Sequence, residues 1–314
     1  MKKAPGAPLK PRALRPGARL AIVAPASPAQ EARLAAGQTE LGRLGFRSVS
    51  NTVSPEGYFA DSLEERRNNF LQAIKAKDIA GLVGLRGGYG SNYLLDDGLA
   101  KPLKAAKAVI GYSDFTSLQV FLWQSCRWVS FYGPMAAAGF DAGAENPHGF
   151  DEASFLNAVR QTEDGWTLNL KGEALVAGEA QGRILGGCLT LLETTIGTSW
   201  ELQTRGAILV LEDRGMKPWQ VDRALMHLKQ AGKLDAVRGI ILGDFPDCEP
   251  PVAGSPTVRD VCTRILTSLK MPIVFGAPIG HTLRPMLTLP LGVKARLRTQ
   301  GEGQLEILEP AVVA

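Results

Sequence analysis

What most constrains this chain is an alternation in its first half between short, almost wholly apolar runs and longer amphipathic segments. The apolar runs predict strands over residues 19–24, 46–50, 79–85 and 107–110. Between them, apolar residues at helical spacing predict helices over 29–44, 62–75 and from 91 to about 104. Ser62, with Glu65 three residues on, has the form of a capping box opening the second helix. Strands without a polar face must be covered on both sides. Strand–helix alternation achieves this as a parallel sheet between helix layers, and in such sheets sites form in the loops leaving the carboxyl ends of the strands.

The texture changes after residue 139. Residues 139–149 are turn-rich, a helix is expected over 152–161, and 172–182 is again loop-like, so the stretch reads as a connector. Beyond it lie strands over 206–211, 239–242 and 273–275, helices over 218–230 and 257–269, and a β-rich end. The expected fold is α/β: an N-terminal parallel-sheet, flavodoxin-like domain over 19–145 and a smaller mixed α/β, β-rich C-terminal domain over 181–314. A linker over 146–180 joins them, and the Pro-rich residues 1–18 form a loosely ordered leader.

Charge and composition exclude several classes of function. The 35 Lys and Arg residues against 31 Asp and Glu give a net charge of only +4, and the basic residues are scattered after the leader. A nucleic-acid binder would cluster them. No stretch approaches the roughly 20 apolar residues that span a bilayer, and the run from Leu20 lies behind four prolines and is broken by Pro25, unlike a signal peptide. The four cysteines show neither metal-ligand nor disulfide spacing. The expectation is a cytoplasmic protein in a reducing compartment, with no nucleic-acid or membrane partner and no metal or other cofactor.

Chemistry points first to residues 108–115, Ala-Val-Ile-Gly-Tyr-Ser-Asp-Phe. A β-branched run ends at Gly111, Ser113 follows, and apolar residues at helical spacing begin at Phe115. Strand, sharp turn and helix would hold the Ser113 hydroxyl clear of the backbone, beside a positive helix end, as a nucleophile. Of three histidines, His148 sits in an exposed turn, and His227 lies within a helix in a structural role. His281, between small residues, is the preferred base. An orienting carboxylate is available at the end of the apolar run 207–211, where Glu212 and Asp213 point to opposite faces; periodicity does not choose between them. Oxyanion donors would be the N–H of Asp114, the residue after the serine, and one from Gly87-Gly88, where the bare main chain can approach a substrate. The Arg86-Gly-Gly-Tyr-Gly90 turn lacks the further glycine pattern and the Lys-Ser/Thr of a phosphate cradle.

Together these stretches resemble the LD-carboxypeptidase family, serine peptidases that include muramoyltetrapeptide carboxypeptidase and the microcin C self-immunity protein. The resemblance runs from about Arg19 to the C-terminal region. It rests on Ile22-Val-Ala-Pro-Ala-Ser-Pro28, Leu85-Arg-Gly-Gly-Tyr-Gly-Ser-Asn92 and Ile110-Gly-Tyr-Ser-Asp114. Further on it rests on Gly186-Gly-Cys-Leu-Thr190, Leu211-Glu-Asp-Arg-Gly215 with Val221-Asp-Arg223, and Ile279-Gly-His281 leading to Leu289-Pro-Leu-Gly292. The resemblance implies a Ser113–His281–Glu212 triad, backbone oxyanion donors at Gly88 and Asp114, and substrate contacts at Arg86, Gly87 and Tyr89. It also implies a homodimer acting on murein peptides in cell-wall recycling, releasing the terminal D-alanine across an L,D amide bond.

The chain departs from the family at three places. Cys188 stands where an Asn is typical, Met216 where an acidic residue is found nearby, and Met286 where an Asn is expected, in a segment one residue longer. These changes bear on the pocket wall. Two rival readings remain open: an immunity-type hydrolase of peptidyl or aminoacyl nucleotides, and a non-catalytic ligand-binding module on the same scaffold.

Overall fold

The computed structural model describes residues 6–96, 99, 105–161, 163 and 165–314. Two sheets form its frame. The first contains β1 (Arg19–Val23), β2 (Arg47–Ser50), β3 (Gly81–Gly84), β4 (Ala108–Gly111) and β5 (Ser130–Tyr132), all parallel to their neighbours. Its strand order is completed at one edge by β12 (Leu289–Leu291), which pairs antiparallel with β5 and brings in the C-terminal region. An edge position suits β12, because Pro290 has no N–H to give to a further strand.

Helix α1 (Glu31–Arg43) connects β1 to β2, and α2 (Leu63–Lys75) connects β2 to β3. The Ser62 hydroxyl accepts from the Glu65 N–H at 3.2 Å as expected, but the capping box is not closed. The Ser62 N–H instead donates to the neighbouring Asp61 carboxylate at 2.8 Å. Of the helix expected from residue 91, the structure describes a single 3-10 turn, Ser91–Leu94; most of 97–104 lies outside the described residues.

The helix after Ser113 is α3 (Phe115–Cys126), and every residue from Phe115 to Trp123 is buried. An apolar helix without a polar face must be covered all round. On one side Phe115, Leu118, Phe121 and Leu122 pack with strands of the first sheet; on the other Val120 and Trp123 pack with Leu185, Leu189 and Leu209. Thus α3 is shared between the two halves of the molecule, and its N-terminus, with Ser113, lies where they meet.

The second sheet has eight strands, in the order β6-β14-β13-β8-β9-β10-β11-β7. Its centre is parallel: β8 (Glu179–Cys188), β9 (Ala207–Glu212), β10 (Gly239–Gly243) and β11 (Ile273–Ala277). Antiparallel strands β13 (Lys294–Arg298) and β14 (Gln304–Ile307) extend one flank. The edges are β6 (Trp166–Asn169) and β7 (Glu173–Val176). Helix α4 (Glu152–Arg160) precedes this sheet, and α5 (Leu189–Glu193), α6 (Pro218–Gln230) and α7 (Val258–Leu266) accompany its parallel core.

Two expectations change. The stretch over 146–180 is not a loop-like connector. Beside the expected helix, α4, it contributes both edge strands, because β6 and β7, four residues each, gain their partners only from distant β14 and β11. Nor is the leader loosely ordered throughout. The Leu9 N–H donates to Arg127 at 2.8 Å, Ala13 and Pro11 exchange bonds with Val313, and Leu14 is fully buried beside Val159. Full burial of a leucine is worth about 1.5–3 kcal/mol, and it adds to these backbone bonds in holding the strap in place.

Candidate active site

Ser113 leaves the carboxyl end of β4 with φ of +61°, in the left-handed region that costs a non-glycine residue energy. Its carbonyl accepts from the Thr116 N–H at 2.8 Å, so the strained turn passes straight into α3. Gly87, just past β3, lies hard against it; a Cβ there would stand 2.7 Å from Ser113 Oγ. The next residue, Gly88, adopts φ of +105°, and a Cβ on it would come within 2.2 Å of Ser27 Oγ. Only glycine meets both conditions.

Glu212 ends β9 and is wholly buried. Its Oε2 accepts from the His281 backbone N–H at 2.8 Å and pairs with the ring Nδ1 at 2.9 Å, and its Oε1 accepts from the Tyr132 hydroxyl at 2.5 Å. The close approach needs Gly280, because a Cβ there would overlap the Glu212 carboxyl at 2.4 Å. Asp213 turns the other way, as strand alternation requires, and accepts from the Thr190 N–H at 2.8 Å and the Thr190 hydroxyl at 2.7 Å. The carboxylate brought to the histidine is therefore Glu212.

Ser113 and His281 line one cleft of about 700 Å³, along with Gly87, Gly88, Arg86 and Asp213. The Tyr112 ring meets the imidazole edge-on, 5.1 Å between centroids. Burial pushes the Glu212 carboxyl up, but the His281 ring and the three hydrogen-bond donors outweigh it and hold it below the ordinary carboxylate range. The same pair works in the opposite sense on His281: burial lowers its pKa, the Glu212 charge overrides this, and the result lies above the ordinary imidazole value of 6.5. Together these shifts describe a carboxylate that stays ionised and an imidazole able to take and hold a proton.

Several residues stand differently from their sequence reading. His148 is exposed, as expected, but it is not remote: it lines the cleft, and its Nδ1 lies 2.8 Å from the Leu283 carbonyl. Arg86 lines the cleft, its guanidinium donating to the Pro28 carbonyl at 3.3 Å and paired with no carboxylate among the described residues, whereas two other cleft arginines are paired, Arg33 with Asp141 and Arg214 with Asp247. Tyr89 packs outside the cleft with Phe59, Tyr58 and Tyr93, 42% exposed. Tyr132 also bears on the site, through its hydroxyl on Glu212. It joins the site only through the β4–β5 register, and nothing local marks it. Among the described residues, no group of three or more His, Cys, Asp or Glu side chains is placed to hold a metal ion.

Residues 20–133 match the model of the LD-carboxypeptidase N-terminal domain, and residues 181–297 match that of its C-terminal domain. Over 297 residues the chain is 33% identical to a protein of Bacillus subtilis described as a "Probable murein peptide carboxypeptidase", covering 92% of each chain. The chain belongs to the LD-carboxypeptidase family. It is accordingly a serine-type carboxypeptidase by class. Identity is 31% to the microcin C7 self-immunity protein MccF of Escherichia coli, covering 86% of this chain and 87% of that one. Among solved structures, MccF in complex with glutamyl sulfamoyl guanosine superposes with a TM-score of 0.87 at 26% identity, over 97% of this chain and all of that one. A muramoyltetrapeptide carboxypeptidase from Oxalobacter formigenes gives 0.83 at 29% identity, covering 93% of this chain and 99% of that one. The α/β fold with its parallel N-terminal sheet and second mixed sheet is the fold of this family.

The departures from the family pattern are not equivalent in this LD-carboxypeptidase. Cys188 lines the cleft, its Sγ 3.5 Å from Asp213, and Met216 places its Sδ 3.5 Å from the Thr190 hydroxyl. Both give one wall a soft, uncharged surface. Met286 is instead a core residue, 4% exposed and exchanging backbone bonds with residues 149 and 151.

Proposed function

We propose that this carboxypeptidase hydrolyses the L,D amide bond that releases the terminal D-alanine of murein tetrapeptides, acting as a cytoplasmic homodimer in cell-wall recycling. The observation that carries the reading is the pairing of buried Glu212 with His281, which lines the same cleft as Ser113, a serine displayed on a strained strand-to-helix turn. In this reading His281 takes the Ser113 proton as Ser113 Oγ attacks the amide carbonyl, and Glu212 fixes the ring and stabilises its charged form. The N–H groups of Gly88 and Asp114 hold the oxyanion. Protonated His281 then gives its proton to the departing amine of D-alanine, and water resolves the acyl-enzyme. Arg86, the cleft arginine without a carboxylate partner among the described residues, receives the terminal carboxylate of the substrate over the bare main chain of Gly87; Tyr89 is proposed to touch only parts of a substrate that extend beyond the cleft.

Incubation with tetrapeptides of L,D and D,D configuration, assaying free D-alanine, tests this reading. Release from the D,D bond alone would overturn it, and so would equal turnover by Ser113→Ala or His281→Ala. Sedimentation checks the dimer. Similarity to MccF supports a second reading, hydrolysis of an aminoacyl nucleotide, which predicts faster turnover of an aminoacyl sulfamoyl nucleoside than of any tetrapeptide.

A further inference from the structure

The two proposed oxyanion donors lie on different segments, Gly88 after β3 and Asp114 after β4. The ladder between these strands pairs Gly81, Leu82 and Val83 with Ala108, Val109 and Ile110 and ends there, before either donor is reached. Beyond the ladder another set of bonds joins the two turns. The Asp114 carboxylate, 1% exposed, accepts through Oδ2 from the Ser91 N–H at 2.8 Å, and the fully buried Ser91 hydroxyl donates back to the Asp114 carbonyl at 2.7 Å. From the other side the Arg66 guanidinium, 3% exposed and 4.4 Å over the Phe59 ring, donates to the Gly90 carbonyl at 2.9 Å and to the Pro25 carbonyl at 2.6 Å.

The placement of Asp114 is uneconomical for fold stability alone. It occupies the N-cap position of α3, where a carboxylate normally accepts from N–H groups of its own helix; here the side chain makes no such bond and reaches across to the other turn. A carboxylate taken out of water must be recompensed by its bonds, and these bonds go to the segment carrying Gly88.

We propose that the Asp114 side chain, with Ser91 and Arg66, is a clamp that sets the separation and direction of the Gly88 and Asp114 N–H groups. Asp114 is in this sense a positioning residue as well as a main-chain donor. The inference rests on the proposed function, since it presumes an oxyanion at that place.

The test uses the full chain and two readouts: kcat and KM for D-alanine release from an L,D tetrapeptide, and the inhibition constant of a peptidyl boronic acid, whose adduct with Ser113 puts an oxygen in the oxyanion site. Loss of one whole donor costs about 10²–10³ in kcat, so Asp114→Ala, which only loosens two donors, should cost about 10–10² with KM little changed and the boronate weakened in parallel. Asp114→Asn should recover part of this, because its amide oxygen can still accept from the Ser91 N–H, whereas alanine leaves that donor with nothing. If Asp114→Ala does not fold, Ser91→Ala, which removes one hydroxyl, carries the same measurement with a smaller parallel loss. Unchanged kcat and boronate affinity, or a loss of kcat without weaker boronate binding, would overturn the clamp alone. A wild-type protein that neither releases D-alanine nor binds the boronate would overturn the proposed function and the clamp with it.

Discussion

At the scale of single residues, Tyr132 ties the Ser113 turn to Glu212. Its hydroxyl donates to Glu212 and lies 3.4 Å from the Ser113 N–H, so one oxygen touches both the strained turn and the carboxylate. Tyr132→Phe leaves Glu212 Oε1 buried without a donor. The expected cost is about 1–3 kcal/mol of stability, with a fall in kcat larger than any rise in KM; thermal unfolding alongside steady-state kinetics checks both. The Glu212–His281 pair makes a prediction about pH. Because the Glu212 charge raises the His281 pKa above 6.5, the imidazolium persists to higher pH than in a free imidazole. The base form required for attack is therefore lost as pH falls through a value above 6.5, and the acidic limb of the kcat/KM profile should lie there. Glu212→Gln removes the charge, so that limb should move to lower pH while kcat drops by on the order of 10²–10⁴. A limb that stays in place on this substitution would contradict His281 as the titrating base.

At the scale of elements, the turn after β3 and the turn before α3 are each shaped by backbone that few residues tolerate. Gly88→Ala meets both a positive φ and Ser27 Oγ, so the donor N–H must move. The expected result is a loss of about 10²–10³ in kcat, since the change displaces one of the two proposed oxyanion donors. Pairing it with Ser27→Gly would relieve the clash but not the dihedral strain, and should restore only part of the activity. Recovery to the wild-type rate would show that the clash alone was at fault. The motif Arg86-Gly-Gly-Tyr-Gly90 was legible as a close-approach turn from its glycines. Which of its side chains face a substrate was not: Arg86 lines the cleft and Tyr89 packs outside it, a difference set by where Phe59 and Tyr93 come to lie.

At the scale of the whole molecule, chain ends and distant strands hold the first sheet to the second. β12 closes an edge of the first sheet although its neighbours in the chain, β11 and β13, belong to the second. The strap over residues 9–14 bonds to Arg127, Val159 and Val313, which are remote in sequence from it and from one another. Removing residues 1–14 exposes the Leu14 pocket and should cost about 1.5–3 kcal/mol, a drop of several degrees in Tm by calorimetry.

Much was legible from local pattern. The strand–helix alternation over the first half is a matter of side-chain period and turn residues, which neighbouring positions set between themselves, and it located Ser113 on its turn before any partner was known. The order of motifs carried the family, and the proposed triad of Ser113, His281 and Glu212 follows from that resemblance. Period by itself left Glu212 and Asp213 equivalent, because alternation says only that they face opposite ways. Tertiary structure decided which face met the histidine, through the approach of Gly280. The roles of Tyr132 and of the Asp114 side chain, the pairing of β12 and the anchoring of residues 9–14 likewise depend on segments far apart in the chain. Such contacts exist only once two sheets have packed about a common helix, and no local pattern records them.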